Sequence, residues 1–347
     1  MTFSIVSLIN IVYALLALSV IIAAHEFGHL IAAKKAGMKV ERFGIGMGPP
    51  IFSIERGGTK YSLCWVPIGG FCQIKGEETE NADNDSYSAK PPFQKFMVAF
   101  SGPFANFLIS FVMMVIIFNI VGNPFSMKIG EVLPDQPASL AGLQAEDRLI
   151  GVNGDYSENT QEIIRAINDN PEQEILLHIK RNGEALNIPI IPAETERDGQ
   201  IVGMIGIQMA PSYDKVSFFS SVTMSIRQMG QFFHEMLRFV GRWITGRLDQ
   251  DVQVAGPVGI IGMAAETASV SAAAFIIFIA FLSLNLGMLN LFPIPPLDGG
   301  KILFALWEGV TKKPVNKKLE IWVNTAGFFL LISLIIFVTF KDILGFF

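Results

Sequence analysis

Five consecutive residues, His25-Glu26-Phe27-Gly28-His29, combine types and spacing suited to chemistry. On a helix, His25 and His29 stand four residues apart and project from one face, so two imidazole nitrogens can reach a single ion. Zinc fits such a pair best. Glu26 adjoins the first ligand, where its carboxylate can take a proton from metal-bound water and return it to a leaving amine. A hydrolytic zinc needs a third protein ligand and an open position for water. His178 and His234 read as ordinary domain or surface histidines. Asp298 is the better candidate, in Asn290-Leu-Phe-Pro-Ile-Pro-Pro-Leu-Asp298-Gly-Gly. There Pro293, Pro295 and Pro296 break the helix and Gly299 and Gly300 free the backbone, so a carboxylate can turn inward. Taken alone, Asp298 would read as the N-cap of a helix beginning KILFALWEGV.

The elements that must position these groups are set by composition. Of 347 residues, 51% are hydrophobic and 16% charged, against about 25% charged in ordinary soluble domains. Mean hydropathy is +0.45. Disordered chains, charged coiled coils and typical cytosolic enzymes are excluded on that basis. A net charge of −5 offers no basic surface, so no nucleic-acid partner is expected. Cys64 and Cys72 make no disulfide scaffold and match no common zinc spacing, so both read as bland thiols. Four apolar runs, 5–24, 97–121, 272–292 and 322–340, are long enough to cross a bilayer. The first lacks the basic start of a signal peptide and reads as a retained span. The histidine pair then falls at the cytoplasmic end of that span, and Asp298 follows the same end of the third. Polar groups at membrane depth are costly to desolvate, which favours a functional reading over a chance match.

Lysine and arginine set the orientation. Residues 34–96 carry Lys34, Lys35, Lys39, Arg42, Arg56, Lys60, Lys75, Lys90 and Lys95, and the stretch after the third span adds Lys301, Lys312, Lys313, Lys317 and Lys318. Both termini and the long segment 122–271 are therefore expected outside the cytoplasm. Residues 51–75 read as a β-hairpin turning at Arg56-Gly57-Gly58, either lying against or in the bilayer or forming a small cytoplasmic hairpin, which periodicity alone does not separate. Residues 77–92 read as a solvated acidic linker without chemistry. Short β-rich runs over 128–208, with a helix at 159–168, form a compact mixed domain, and residues 141–154, AGLQAEDRLIGVNG, resemble a bacterial PDZ signature. Glu146 stands where that pattern has glycine, so a different turn is expected. Residues 216–248 read as amphipathic helices on the outer membrane surface or packed on that domain. The glycines at 44, 46 and 48 are no phosphate loop, since prolines follow at once. Gly102 and Ala105 read as helix-packing positions.

Together HEFGH, SGPFANF (101–107), one PDZ-like domain and NLFPIPPLDGG, in this order over nearly the whole chain, resemble the site-2 protease family, most nearly its bacterial regulator-of-sigma-E protease group in a single-PDZ form. The resemblance implies a multi-pass α-helical membrane protein with four transmembrane helices, a membrane-associated β-hairpin and one inserted extracytoplasmic PDZ-like α+β domain. It divides the chain at 1–121, 122–212, 213–271 and 272–347, the third part holding the surface helices and a glycine-proline loop at 255–259. It implies His25, His29 and Asp298 as ligands of one Zn²⁺, Glu26 as catalytic base, and Asn290, Gly69 and Gly70 as substrate-positioning residues. The implied activity is intramembrane zinc metalloproteolysis of single-pass membrane proteins, such as a pre-trimmed anti-sigma factor or a remnant signal peptide, at the bacterial inner membrane in a stress response. The alternative is a dormant relative acting as a membrane scaffold with a peptide-binding PDZ domain. A transporter ranks last, because the polar groups cluster at one end of two spans rather than along several.

Overall fold

A computed structural model describes residues 5–77, 83–122, 127–157, 160–197, 200–212, 216–247 and 255–344. In chain order these form α1 (Ile5–Lys35), β1 (Val40–Arg56), β2 (Thr59–Ile74), α2 (Pro92–Ile120), β3 (Met127–Val132), α3 (Pro137–Leu140), β4 (Arg148–Val152), β5 (Asp155–Tyr156), α4 (Thr160–Asn168) and β6 (Ile175–Arg181). There follow β7 (Glu184–Ile190), β8 (Ala193–Arg197), β9 (Gln200–Met204), β10 (Ile207–Pro211), α5 (Phe218–Ile244), α6 (Pro257–Val270), α7 (Ala272–Asn290), α8 (Asp298–Thr311) and α9 (Lys317–Leu344). The chain divides into two compact units, Met1–Val115 with Val222–Phe347, and Ile116–Ser221.

In the first unit α1, α2, α7 and α9 contain stretches long and apolar enough to cross a membrane, Leu8–Lys35, Pro92–Ile120, Ala272–Asn290 and Lys317–Asp342. The first helix continues well past residue 24 because its polar turn is covered rather than surrendered to water: His25 and His29 are buried. It closes at Gly37, whose φ of +66° suits a left-handed C-terminal residue, and Met38 N–H donates back to the Ala33 carbonyl. Glycines set how closely the backbones approach. A Cβ on Gly28 would lie 2.3 Å from the Ser101 carbonyl oxygen, and one on Gly287 would lie 2.7 Å from the Phe107 ring. So α1 and α7 both press onto α2 where the chemistry-bearing residues lie.

Strand pairing at 40–74 is more elaborate than the expected hairpin. Gly57 and Gly58, with φ of +59° and +72°, make the tight turn between β1 and β2. Both strands then bend back on themselves, so that residues 42–45 pair with 60–63 on one side and with 70–73 on the other. The bends fall where φ is positive, at Gly46 and Gly48 in β1 and Gly69 in β2. Glycines and prolines that read from sequence as the end of structure are thus the corners of a longer sheet. Ile45, Met47, Phe52, Leu63, Trp65 and Val66 leave large apolar surface exposed on it.

The acidic linker is a correction. Residues 78–82 lie outside the described residues, but Ser86 and Tyr87 are buried, and Lys75 pairs with Asp83 and Asp85. Glu77 accepts from Lys301 Nζ at 2.6 Å, across 224 positions of sequence. Composition suggested a solvated run, whereas distant lysines recruit it. The glycine-proline loop leads directly into α6, which is apolar and packs against α1, α7 and α9 rather than presenting an amphipathic face. Asp342 near the end of α9 accepts from the Gly256 and Gly259 N–H groups at 3.1 and 2.8 Å, satisfying donors at the start of α6.

The second unit packs Ile129, Leu149, Ile163, Ile175, Leu177 and Ile179 into one core. Its sheets are β5-β4-β6-β7, β10-β3 and β8-β9. Glu146, at the position where the PDZ pattern has glycine, takes the left-handed conformation at φ +75° and pairs with Lys128. His178 is buried on β6 between the Gly154 N–H at 2.9 Å and Asn187 Oδ1 at 2.6 Å, a domain histidine as expected. Asp147 is 1% exposed and accepts Arg181 Nε and Nη2 at 2.7 and 2.6 Å. Asp147→Ala removes the buried acceptor of two Arg181 bonds and of the Gln144 N–H and leaves Arg181 unpaired but partly exposed, so it should destabilise this unit by about 1–2 kcal/mol. The midpoint of its denaturant-induced unfolding measures this, and an unchanged midpoint would show the pair to be dispensable.

Candidate active site

The site is built by four pieces of chain in the first unit. Helix α1 places His25 and His29 one turn apart on the face that meets α2. The turn after α7, freed by Pro293, Pro295 and Pro296, leads into α8, and Asp298 lies in the first turn of α8 behind the N-cap residue Leu297. Asp298 therefore begins the helix without capping it, and its side chain turns to the histidines. The space this turn needs comes from glycine: a Cβ on Gly299 would lie 2.0 Å from the Phe292 carbonyl oxygen.

Three ligand atoms converge. Asp298 Oδ2 is 3.0 Å from His25 Nε2 and 3.3 Å from His29 Nε2, and the two Nε2 atoms are 3.2 Å apart. Zinc bonds of about 2.0–2.2 Å in tetrahedral geometry put ligand atoms roughly 3.3 Å apart, so this triangle has the size of one face of a zinc tetrahedron. His25, His29 and Asp298 are 6%, 8% and 7% exposed. His29 Nδ1 is 2.7 Å from the Val98 carbonyl oxygen. A carbonyl only accepts, so Nδ1 carries the proton and Nε2 presents a lone pair. Asp298 Oδ2 has no hydrogen-bond donor. The donor set of two imidazoles and a carboxylate is one that zinc takes. Burial alone would raise the Asp298 carboxyl, but His29, His25 and Lys301 outweigh it and hold it below the usual carboxylate range, ready to ligate.

Beside the triangle lies a cavity of about 400 Å³, lined among others by Glu26, Gly69, Gly70, Cys72, Asn290 and Lys301. Glu26 is half-buried in its wall. A Cβ on Gly70 would lie 3.1 Å from Glu26 Cγ, so β2 passes flush against the carboxylate. Asn290, at the end of α7, holds its amide 3.5 Å from His25. Burial, with Glu26 and Glu77 adding, pushes the Cys72 thiol up to about 12. It stays neutral, in keeping with a bland thiol. Lys301 is lowered by burial but raised further by Glu77 and Asp298, and stays charged.

Sequence reasoning missed several residues of this site. Gly102, read as a helix-packing residue, lies directly against the ligands: a Cβ there would be 2.4 Å from His29 Nε2 and 2.7 Å from His25 Nε2. Asn106, within SGPFANF, carries no role from sequence, yet its amide is 3.2 Å from His25 Nδ1. Their spacing to each other, four residues on one helix face, was the available signal. Glu77, Tyr87 and Lys301 line the cavity with no local sequence cue.

Two imidazoles, one carboxylate and an adjacent glutamate set among membrane-length helices define a membrane zinc metalloprotease. Known proteins agree with that class. A relative from Clostridium perfringens is 33% identical across 96% of this chain and 98% of its own length. The zinc metalloprotease RasP of Geobacillus kaustophilus is 29% identical across 93% and 95%, and RasP of Oceanobacillus iheyensis 28% across 96% and 98%. The model of peptidase family M50 matches residues 13–334, and the chain belongs to that family, the site-2 proteases. Zinc is its cofactor.

Proposed function

We propose that this enzyme hydrolyses a peptide bond within or near the transmembrane segment of single-pass membrane proteins. The observation that carries the reading is the convergence on one point of His25 and His29, from a membrane-length helix, and Asp298, from the short helix α8 that follows another, with Glu26 at the adjoining cavity. In this reading His25, His29 and Asp298 hold the zinc. When bound there, zinc makes its water a nucleophile near neutral pH. Glu26 takes the proton of the attacking water and passes it to the leaving amine. Asn290 donates its amide to the substrate beside the scissile bond.

A helical substrate hides its carbonyls in its own hydrogen bonds and must unwind before it can be cut. Among the described residues no strand pairs with the outer edge of 69–73, and Gly69, Gly70 and Cys72 line the cavity. That edge accepts an extended peptide by strand addition, its glycines letting the two backbones approach. The exposed apolar residues of the sheet support a location against or in lipid. The positive charge of 34–96 and 301–318 supports a reading with the active site near the cytoplasmic side and both termini and the PDZ-like domain of 122–212 outside, in a bacterial inner membrane. The surface helix α5 lies on that outer side. Substrates of this description are a pre-trimmed anti-sigma factor or a remnant signal peptide, cut in regulated intramembrane proteolysis. The complete set of four chemical groups disfavours a dormant scaffold.

Purified protein in liposomes with a single-pass substrate provides the test. Mass spectrometry of the products should locate the cut within or at the edge of the apolar segment, and a zinc chelator should abolish it. Cleavage confined to soluble flanks, or indifferent to the chelator, would refute the proposal.

A further inference from the structure

A histidine that gives Nε2 to a metal must carry its proton on Nδ1, and that proton needs an acceptor. For His29 the acceptor is the Val98 carbonyl at 2.7 Å. Near Nδ1 of His25 stand two side-chain amides. That of Asn290 is 3.5 Å from Nδ1 and 3.5 Å from Nε2. Equal distances put it midway between two nitrogens whose in-plane lone pairs diverge, so it lines up with neither.

Asn106 is different. It is wholly buried, and its amide lies 3.2 Å from Nδ1. Ser283 Oγ on α7 donates to its backbone carbonyl at 3.0 Å, which fixes the residue between α2 and α7. With Nδ2 turned toward His25, Oδ1 is left buried with no partner. That orientation would also force the ring proton onto Nε2, 3.0 Å from Asp298 Oδ2 and 3.2 Å from His29 Nε2, where the cation belongs. Which end of an amide faces a neighbour is decided by the hydrogen bonds it can make.

We propose that Asn106 is a positioning residue for His25: its Oδ1 accepts the Nδ1–H, fixing the tautomer and rotation of the ring so that Nε2 faces the metal. Asn290 is then left free for substrate. The proposal rests on the zinc site described above. Pro103, one turn before Asn106, has no N–H to give the Ala99 carbonyl, and this proline-bearing stretch of α2 supplies partners to both histidines, Val98 to one and Asn106 to the other.

The test is zinc affinity of the full chain, stripped of metal and titrated against a chelating dye. Asn106→Leu, which fills the space without an acceptor, should bind zinc about 10- to 100-fold more weakly. Asn106→Asp restores an acceptor and should return to within about threefold of the unsubstituted protein. A packing role would not separate leucine from aspartate in this way. If leucine prevents folding, Asn106→Ala against Asn106→Asp reads the same contrast. Equal zinc affinity in the leucine or alanine variant and the unsubstituted protein overturns the role of Asn106 while leaving the zinc site standing. An unsubstituted protein that takes no zinc, or takes it equally well as His25→Ala, removes the site itself and this inference with it.

Discussion

Glu26→Gln protein is expected to lose peptide cleavage by roughly 10² to 10⁴-fold while keeping its zinc. Glutamine has the shape of glutamate, so the packing of Gly70 against the side chain, where a Cβ would be 3.1 Å from Cγ, is preserved. What is lost is the ability to accept a proton from water and deliver it to the amine. The three proposed ligands are untouched, and their triangle of 3.0 to 3.3 Å remains. A thousandfold loss is about 4 kcal/mol of barrier, far beyond what a neutral amide could lose by altered packing alone. Cleavage of a single-pass substrate and metal analysis of the same preparation, taken together, check it. Full activity in the glutamine protein would remove Glu26 from the chemistry, and loss of zinc along with activity would make it a structural residue.

The second large effect is predicted at Gly102, where a single methyl should dismantle the metal site. Its Cβ would stand 2.4 Å from His29 Nε2 and 2.7 Å from His25 Nε2, about 1 Å short of ordinary contact. Zinc bond lengths tolerate only about 0.2 Å of displacement, so the imidazoles cannot step aside and still coordinate. Gly102→Ala should therefore lose at least about a hundredfold in zinc affinity, and activity with it. Gly262→Ala in α6 is the matched control, since a Cβ there meets nothing within 4 Å. Zinc retention by both variants would show that α2 can yield and that the close approach is not required.

The sequence made some of this legible and hid the rest for identifiable reasons. The helix pitch put His25, Glu26 and His29 on one turn, and the prolines and glycines around Asp298 announced a backbone able to turn a carboxylate inward. Membrane-length apolar runs were plain from hydropathy, and the Gly57-Gly58 turn from composition. Hidden were features created by distant partners. Glu77 looked solvated because Lys301, which binds it, lies more than two hundred positions away. The first half of β1 was obscured because Gly46, Gly48, Pro49 and Pro50 break regular strands, yet here they bend one. Gly102 was visible only as a small residue on an apolar helix, and smallness has one appearance in sequence whether it admits a neighbouring helix or a metal-binding ring.

The residues proposed to grip the metal come from opposite ends of the chain, His25 and His29 in its first helix and Asp298 in its eighth. At roughly 5 to 20 residues per second of synthesis, about 14 to 55 s separate the emergence of the first histidine from that of the carboxylate. During that interval a nascent chain holds an incomplete donor set. A chain that ends before α8 therefore has both imidazoles but not the carboxylate, and cannot complete the proposed site.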